Sequence, residues 1–201
     1  MIEIEKYGNF KSINKNKTKK QIILCHTSRE VEEYLVSLKH RFNSKFDRIP
    51  NFVITKGGKI LQLLPELSYT NFFEHESINK NSIIVCLENL GWLEKKPLTN
   101  WYINWKGSIY NQQVYEKKWR DFFFWEPYTT SQIEKTAELC SRLIDEFQIK
   151  KNCVSHNTKI DGVENFEGIV SRSNFNGKYT DLNPSFNFET FTKLIEHGQF
   201  A

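Results

Sequence analysis

Two short apolar runs do most to limit how this chain can fold: "QIILCH", Gln21 to His26, and "NSIIVCLEN", Asn81 to Asn89. Both read as buried strands. The second is apolar enough to sit centrally in a sheet, where helices cover the strand on both sides. "TSRE" follows the first run. There Thr27 and Glu30 have capping-box spacing, so a helix is expected from about Arg29 to Phe46 with Val31, Leu35, Leu38 and Phe42 on one face.

The remaining elements fit the same pattern. "NFVITKGGKILQLLP" is two apolar segments around Lys56-Gly57-Gly58-Lys59, which predicts a tight hairpin. Thr129 and Gln132 form a second capping-box pattern, and Ile133, Ala137, Cys140, Ile144 and Phe147 trace a helical stripe behind it. The stretch after His156 reads as a Gly- and Asn-rich loop. A last helix in "NPSFNFETFTKLIEH" carries Phe188, Phe191, Leu194 and Ile195 on its apolar face. Alternating strands and helices imply an α/β architecture with a sheet between helices. The segment from Gly91 to Pro127 differs. It holds all five tryptophans, with Tyr102, Tyr110 and Tyr115, and reads as an excursion over one end of the sheet. Its rings either form a satellite core or line a groove that stacks on sugar or peptide.

Composition narrows the class. With 201 residues, 39% hydrophobic and 26% charged, the chain suits one soluble globular domain, taken as 1–201 with an aromatic-rich insertion at about 91–127. The net charge of +4 is too small to select an anionic partner, and much of it lies in the basic stretch Lys11 to Lys20. No nucleic-acid or membrane partner is expected. There is no run of 18 apolar residues, and "MIEIEKYGNF" has no signal-peptide core, so synthesis in a cytoplasm without a signal peptide is the expectation. Cys25, Cys86, Cys140 and Cys153 show no CxxC pair and read as free thiols.

Three side chains raise a chemical possibility. His26 closes the first strand. His156 follows the strand-like "CVSH" in "VSHNTKID". Asp181 lies in "KYTDLNPSF". Each has an ordinary structural reading alone. Together they are two imidazoles and a carboxylate, the ligand count of a catalytic zinc site with its fourth position open.

With those residues in place, the chain resembles the zinc-dependent N-acetylmuramoyl-L-alanine amidases of type 2, which share a fold with peptidoglycan recognition proteins. "IILCHTS" looks like the family's first strand and first zinc histidine, and "NFVITKGGKILQLLP" like its hairpin. "HESINKNSIIVCLEN", beginning at His75, is similar to the stretch in which a His precedes Asn-x-x-Ser-Ile-Gly-Ile-Glu-Leu. "YTTSQIEKTAELCSRLIDEF" matches the helix that follows. "VSHNTKID" matches the second zinc histidine, and "TDLNPSFNF" the signature carrying the third ligand. The order holds from Gln21 to Ile195, with the aromatic segment as an insertion. The resemblance implies a central mixed β-sheet flanked by helices and Zn²⁺ held by His26, His156 and Asp181. It also implies hydrolysis of the amide between N-acetylmuramic acid and L-alanine in peptidoglycan. Bound zinc would lower the pKa of water to about 7 and polarise the carbonyl. Muropeptide contacts are expected from His75, Trp101, Trp105 and Asn174, and a monomer is expected.

Two positions depart from the family. Its catalytic glutamate falls on Cys86. Glu88, two residues on and on the same strand face, is the candidate acid–base group. Its lysine, two residues before the third ligand, falls on Tyr179, and the tyrosine some members carry on the hairpin falls on Pro50. Arg172 in "VSRSNF" is the candidate oxyanion-stabilising cation, and Tyr179 a further catalytic candidate. Two alternatives stay open: a peptidoglycan-binding module that does not cut, and a cysteine hydrolase using Cys86 with His156, against which a Cys inside an apolar strand speaks. A phage-type lysin released onto the wall and a cytoplasmic recycling amidase both suit the composition.

Overall fold

The computed structural model describes residues 2–8, 10, 14–41 and 47–198. In chain order the first half contains β1 (Ile4–Lys6), β2 (Asn14–Lys15), β3 (Gln21–His26), α1 (Val31–Arg41), β4 (Phe52–Ile54), β5 (Ile60–Gln62), β6 (Ser68–Tyr69), α2 (Glu76–Asn81) and β7 (Ser82–Leu87). Then come β8 (Trp92–Lys95), β9 (Tyr102–Ile103), β10 (Ile109–Tyr110), β11 (Tyr115–Trp119), β12 (Phe122–Trp125), α3 (Thr130–Phe147), β13 (Gly168–Ser171) and α4 (Phe188–His197). Among the described residues, no helix is long and apolar enough to cross a membrane.

The central sheet has six strands in the order β1-β5-β4-β7-β3-β13. It is mixed: β4 and β5 form the antiparallel hairpin, and β4, β7, β3 and β13 run parallel. Successive residues of a strand point to opposite faces, and the core divides accordingly. Ile22, Leu24, Ile83, Val85 and Leu87 pack with Ile133, Ala137 and Cys140 of α3 and with Phe191 and Ile195 of α4. Ile23, Cys25, Ile84 and Cys86 pack with Tyr34, Leu35 and Leu38 of α1. This is the α/β sandwich that the two apolar runs require.

Helix entry was legible at one end and not the other. Thr129 caps α3 with both bonds of the capping box to Gln132. At α1 the Thr27–Glu30 box does not form. Thr27 Oγ1 instead accepts from Asn89 N–H (3.2 Å), tying β3 to the end of β7, and the first helical N–H, on Val31, is taken by Glu88 Oε1 at 2.8 Å. The described helix ends at Arg41, so Phe42 and the expected extension to Phe46 lie outside the described residues. Most of the basic stretch is described, and Asn14–Lys15 within it pairs with β6.

The aromatic segment is a second sheet rather than an irregular excursion. Its five strands run β10-β9-β8-β12-β11, antiparallel throughout. Trp125 is fully buried and donates its indole N–H to Lys117 O (2.8 Å), while Trp92 stacks on Phe122 with centroids 4.6 Å apart.

Candidate functional site

The carboxyl ends of the parallel strands gather the polar side chains. In the register that pairs Ser171 with Leu24, the residue after β13 is carried up beside the end of β3. That residue is Arg172. Its Nε donates to Asp181 Oδ2 at 2.7 Å, and Asp181 Oδ1 accepts the peptide N–H of His26 at 2.9 Å. Asp181 is wholly buried, and the Arg172 side chain is 19% exposed. Arg172 also lies over the Tyr179 ring, 4.8 Å from its centroid. Gly91 packs on the His26 imidazole from another side. A Cβ there would fall 2.9 Å from His26 Cε1, and the backbone at Gly91 has φ +81°, so glycine is required twice over.

The electrostatics follow from burial. Burial lowers the His26 pKa, with Asp181 opposing and Arg172 reinforcing. Burial pushes the Asp181 carboxyl up, but the Arg172 and His26 charges and the two donated bonds outweigh it and hold it below the usual carboxylate range. Burial works against the Arg172 charge, and Asp181 more than restores it.

Of the three expected zinc ligands, His26 and Asp181 are brought together and His156 is not. His156 is exposed. Its Nδ1 sits 2.7 Å from Thr158 Oγ1, and its side chain lines a cavity of about 420 Å³ with Tyr115, Lys117 and Trp119. His26 lines a different cavity, with Arg172. Among the described residues, no group of three or more His, Cys, Asp or Glu side chains is placed to hold a metal ion. The donor chemistry gives the reason. Both Asp181 oxygens are engaged, and the group that meets His26 and Asp181 is a guanidinium, which has no lone pair to offer a metal. His26 Nδ1, buried and without a partner, is the one feature that suits a ligand. As arranged, the residues do not fit a three-ligand zinc centre. The expected strand at "CVSH" reduces to a single bridge, Cys153 to Ile169, and the edge strand beside β3 is β13.

Glu88 does share a face with Cys86, but that face is the α1 side. Its two oxygens accept the peptide N–H groups of Val31 and Lys56, each at 2.8 Å. The carboxylate caps α1 and closes the β4–β5 hairpin, which is a structural placement. Burial raises its pKa, and the two N–H bonds work against that rise. Cys86 is buried, with its sulfur 3.7 Å from the Tyr34 hydroxyl, and His156, the partner a cysteine hydrolase would need, lines a separate cavity.

The substrate candidates divide in the same manner. His75 and Tyr179 line one cavity of about 550 Å³ with Phe73, Phe175 and Lys159. Asn174 is buried and structural, donating to the carbonyls of His156 (2.9 Å) and Thr158 (2.7 Å). Trp105 reaches the His26 cavity, donates to Ser28 O at 2.7 Å and carries Arg29 over its ring. Trp101 is exposed on the aromatic sheet and lines none of these three cavities. Sequence reasoning missed Arg29, Arg41 and Arg48, which join Arg172 around His26. They come from separate segments and form no motif.

The model of the N-acetylmuramoyl-L-alanine amidase family, in its type 2 form, matches residues 14–167. The chain belongs to this amidase family. The match takes in His26 and His156, and Arg172 and Asp181 lie beyond it. Solved structures of hydrolases share the fold. LysC from Clostridium intestinale is 11% identical, with a TM-score of 0.59 over 98% of this chain and 99% of that one. AmiA from Staphylococcus aureus, in complex with its ligand, is 11% identical, with a TM-score of 0.54 over 100% and 87%. AmiD from E. coli, in complex with anhydro-N-acetylmuramic acid-L-Ala-D-gamma-Glu-L-Lys, is 16% identical, with a TM-score of 0.54 over 94% and 60%. No curated protein sequence matches the chain.

Proposed function

We propose that the protein acts on peptidoglycan at the junction between N-acetylmuramic acid and the L-alanine of the stem peptide. Membership of the amidase family supports that substrate class and supports hydrolysis of the amide there. A zinc-dependent hydrolase would need His156 brought to His26 and Asp181 released from Arg172. The reading that the geometry supports best is therefore retention of the muropeptide by a binding module of the amidase fold. One observation carries it: the Arg172–Asp181 ion pair at 2.7 Å, standing where His26 would need a second ligand beside it.

The test is incubation of the purified protein with a soluble muramoyl tripeptide, once with added zinc and once with chelator. Calorimetry reads binding and mass spectrometry reads free peptide. Binding without release in both conditions is the expected result. Release that zinc stimulates and chelator stops would establish the hydrolase and overturn the retention reading. Neither binding nor release would remove peptidoglycan as the ligand.

A further inference from the structure

We propose that the small cavity beside His26 is an anion-binding site, and that it receives a carboxylate of the stem peptide without any divalent metal. This assignment rests on the peptidoglycan reading only for the source of the carboxylate. The charge class comes from the cavity itself.

The cavity encloses about 160 Å³ and is lined by Arg29, Arg41, Arg48 and Arg172, with His26 and Tyr34 among the remaining walls. The four arginines come from four places: the β3–α1 turn, the last residue of α1, the segment before β4, and the residue after β13. They are therefore not one solvated helix face. Among the described residues, no Asp or Glu lines the cavity. Asp181 engages Arg172 through Nε, so that bond leaves the two terminal amino groups of the guanidinium unengaged. Arg29 is backed by the Trp105 ring at 5.1 Å. His26 Nδ1 adds a buried polar atom with no partner.

These features select the ligand. Guanidinium groups bind carboxylates and phosphates through paired N–H donors, and such charge-assisted bonds are about twice as strong as neutral ones. A divalent cation entering the same space would meet converging positive charges and a carboxylate already neutralised. Size adds a limit. Pockets for whole drug-sized ligands run from roughly 300 Å³ upward, so this cavity accepts a terminal anionic group and not a sugar ring. Arg172 thereby supplies, as part of the chain, the positive charge that a bound metal ion supplies elsewhere.

The experiment measures binding of a muramoyl stem peptide by calorimetry, in chelator, as the free acid and as its fully amidated form, with inorganic phosphate as a third probe. The free acid should bind at least ten-fold more tightly than the amide. Arg41→Gln should lower the affinity for the acid about ten-fold and leave the amide unchanged, and Arg29→Gln serves if that variant melts early. Equal affinity for acid and amide overturns the proposal. So does one equivalent of zinc retained by the wild-type chain after dialysis. Phosphate binding more than ten-fold tighter than the acid overturns the carboxylate assignment. If phosphate binds and is weakened by Arg41→Gln while neither peptide binds, the anion site stands and the peptidoglycan reading falls. If none of the probes binds, the anion site falls.

Discussion

The carboxyl edge of the central sheet and the outer face of the aromatic sheet place side chains in opposite ways. At the sheet edge, polar groups are buried and locked to one another: Asp181 to Arg172 and to the His26 N–H, and Glu88 to two peptide N–H groups. On the aromatic sheet, large apolar rings face water, with Trp101 53% and Phe123 49% exposed. Burying an ionised group is tolerated only when it is paired and hydrogen-bonded. Exposing one large ring is common, but a cluster of them marks a surface with something to cover. The first region should therefore govern stability and the second should govern contacts. Within the aromatic sheet the same distinction recurs between buried Trp125 and exposed Trp101.

The sharpest test of that division is Asp181→Ala. It leaves the largely buried Arg172 without its counter-charge and the His26 N–H without its acceptor. Breaking a buried pair from one side costs about 3–5 kcal/mol. A urea unfolding curve that shifts by less than about 1 kcal/mol would show that the pair does not hold the edge. Trp125→Ala should cost a comparable amount, about 3–5 kcal/mol, because the whole indole lies inside. Its unfolding midpoint, set beside that of Trp101→Ala, separates the inner from the outer ring set.

Lys19, before the opposite end of β3, extends the comparison to pH. Its side chain is buried and donates to the carbonyls of Lys80 and Ser82, both at 3.0 Å. Burial lowers its pKa to about 8 from 10.5. Between those values the unfolded chain holds the proton that the folded chain has released, so stability rises with pH through that window and is flat on either side. Relative to Lys19→Met, the wild type should gain about 3 kcal/mol between pH 7.5 and 11. Parallel denaturation of the two proteins across that range checks it, and a constant difference would contradict the shift.

Glu88→Gln should cost about 1.5–3 kcal/mol, because an amide can accept only one of the two N–H bonds and loses the charge that strengthens both. Calorimetric melting reads it. A variant as stable as the wild type would break the structural assignment of this carboxylate. The smallest effect is expected at Trp101→Ala, within about 0.5 kcal/mol, with loss of wall binding exceeding any loss of stability. A pull-down on purified wall next to a melting curve distinguishes the two.

What was legible in the sequence followed from local pattern. β3, β7 and the β4–β5 hairpin announced themselves as apolar runs, and α3 by its cap and stripe. β13 did not, because four residues, Gly168 to Ser171, give too short a signal amid Gly and Asn, and parallel pairing leaves no mark in adjacent sequence. That single omission redirected the site. Without β13, Arg172 reads as a loop cation and His156 as the natural second ligand. With it, Arg172 stands beside His26 and His156 faces a separate cavity. The five-stranded character of the aromatic segment was hidden for a related reason: large rings occupy both faces of its strands, so the two-residue alternation is lost.

The position of β3 between β7 and β13 has a consequence for how the chain is made. The acceptor for the His26 N–H arrives 155 residues later in the sequence. As the chain emerges from the ribosome, β7 can dock on one side of β3 early, while the other side remains an open row of peptide groups until Gly168 to Ser171 appears. An open strand edge is a template for the wrong neighbour. Here the last quarter of synthesis closes it, and the same event sets Arg172 beside His26, so a chain stalled before Gly168 has neither the finished sheet nor the site.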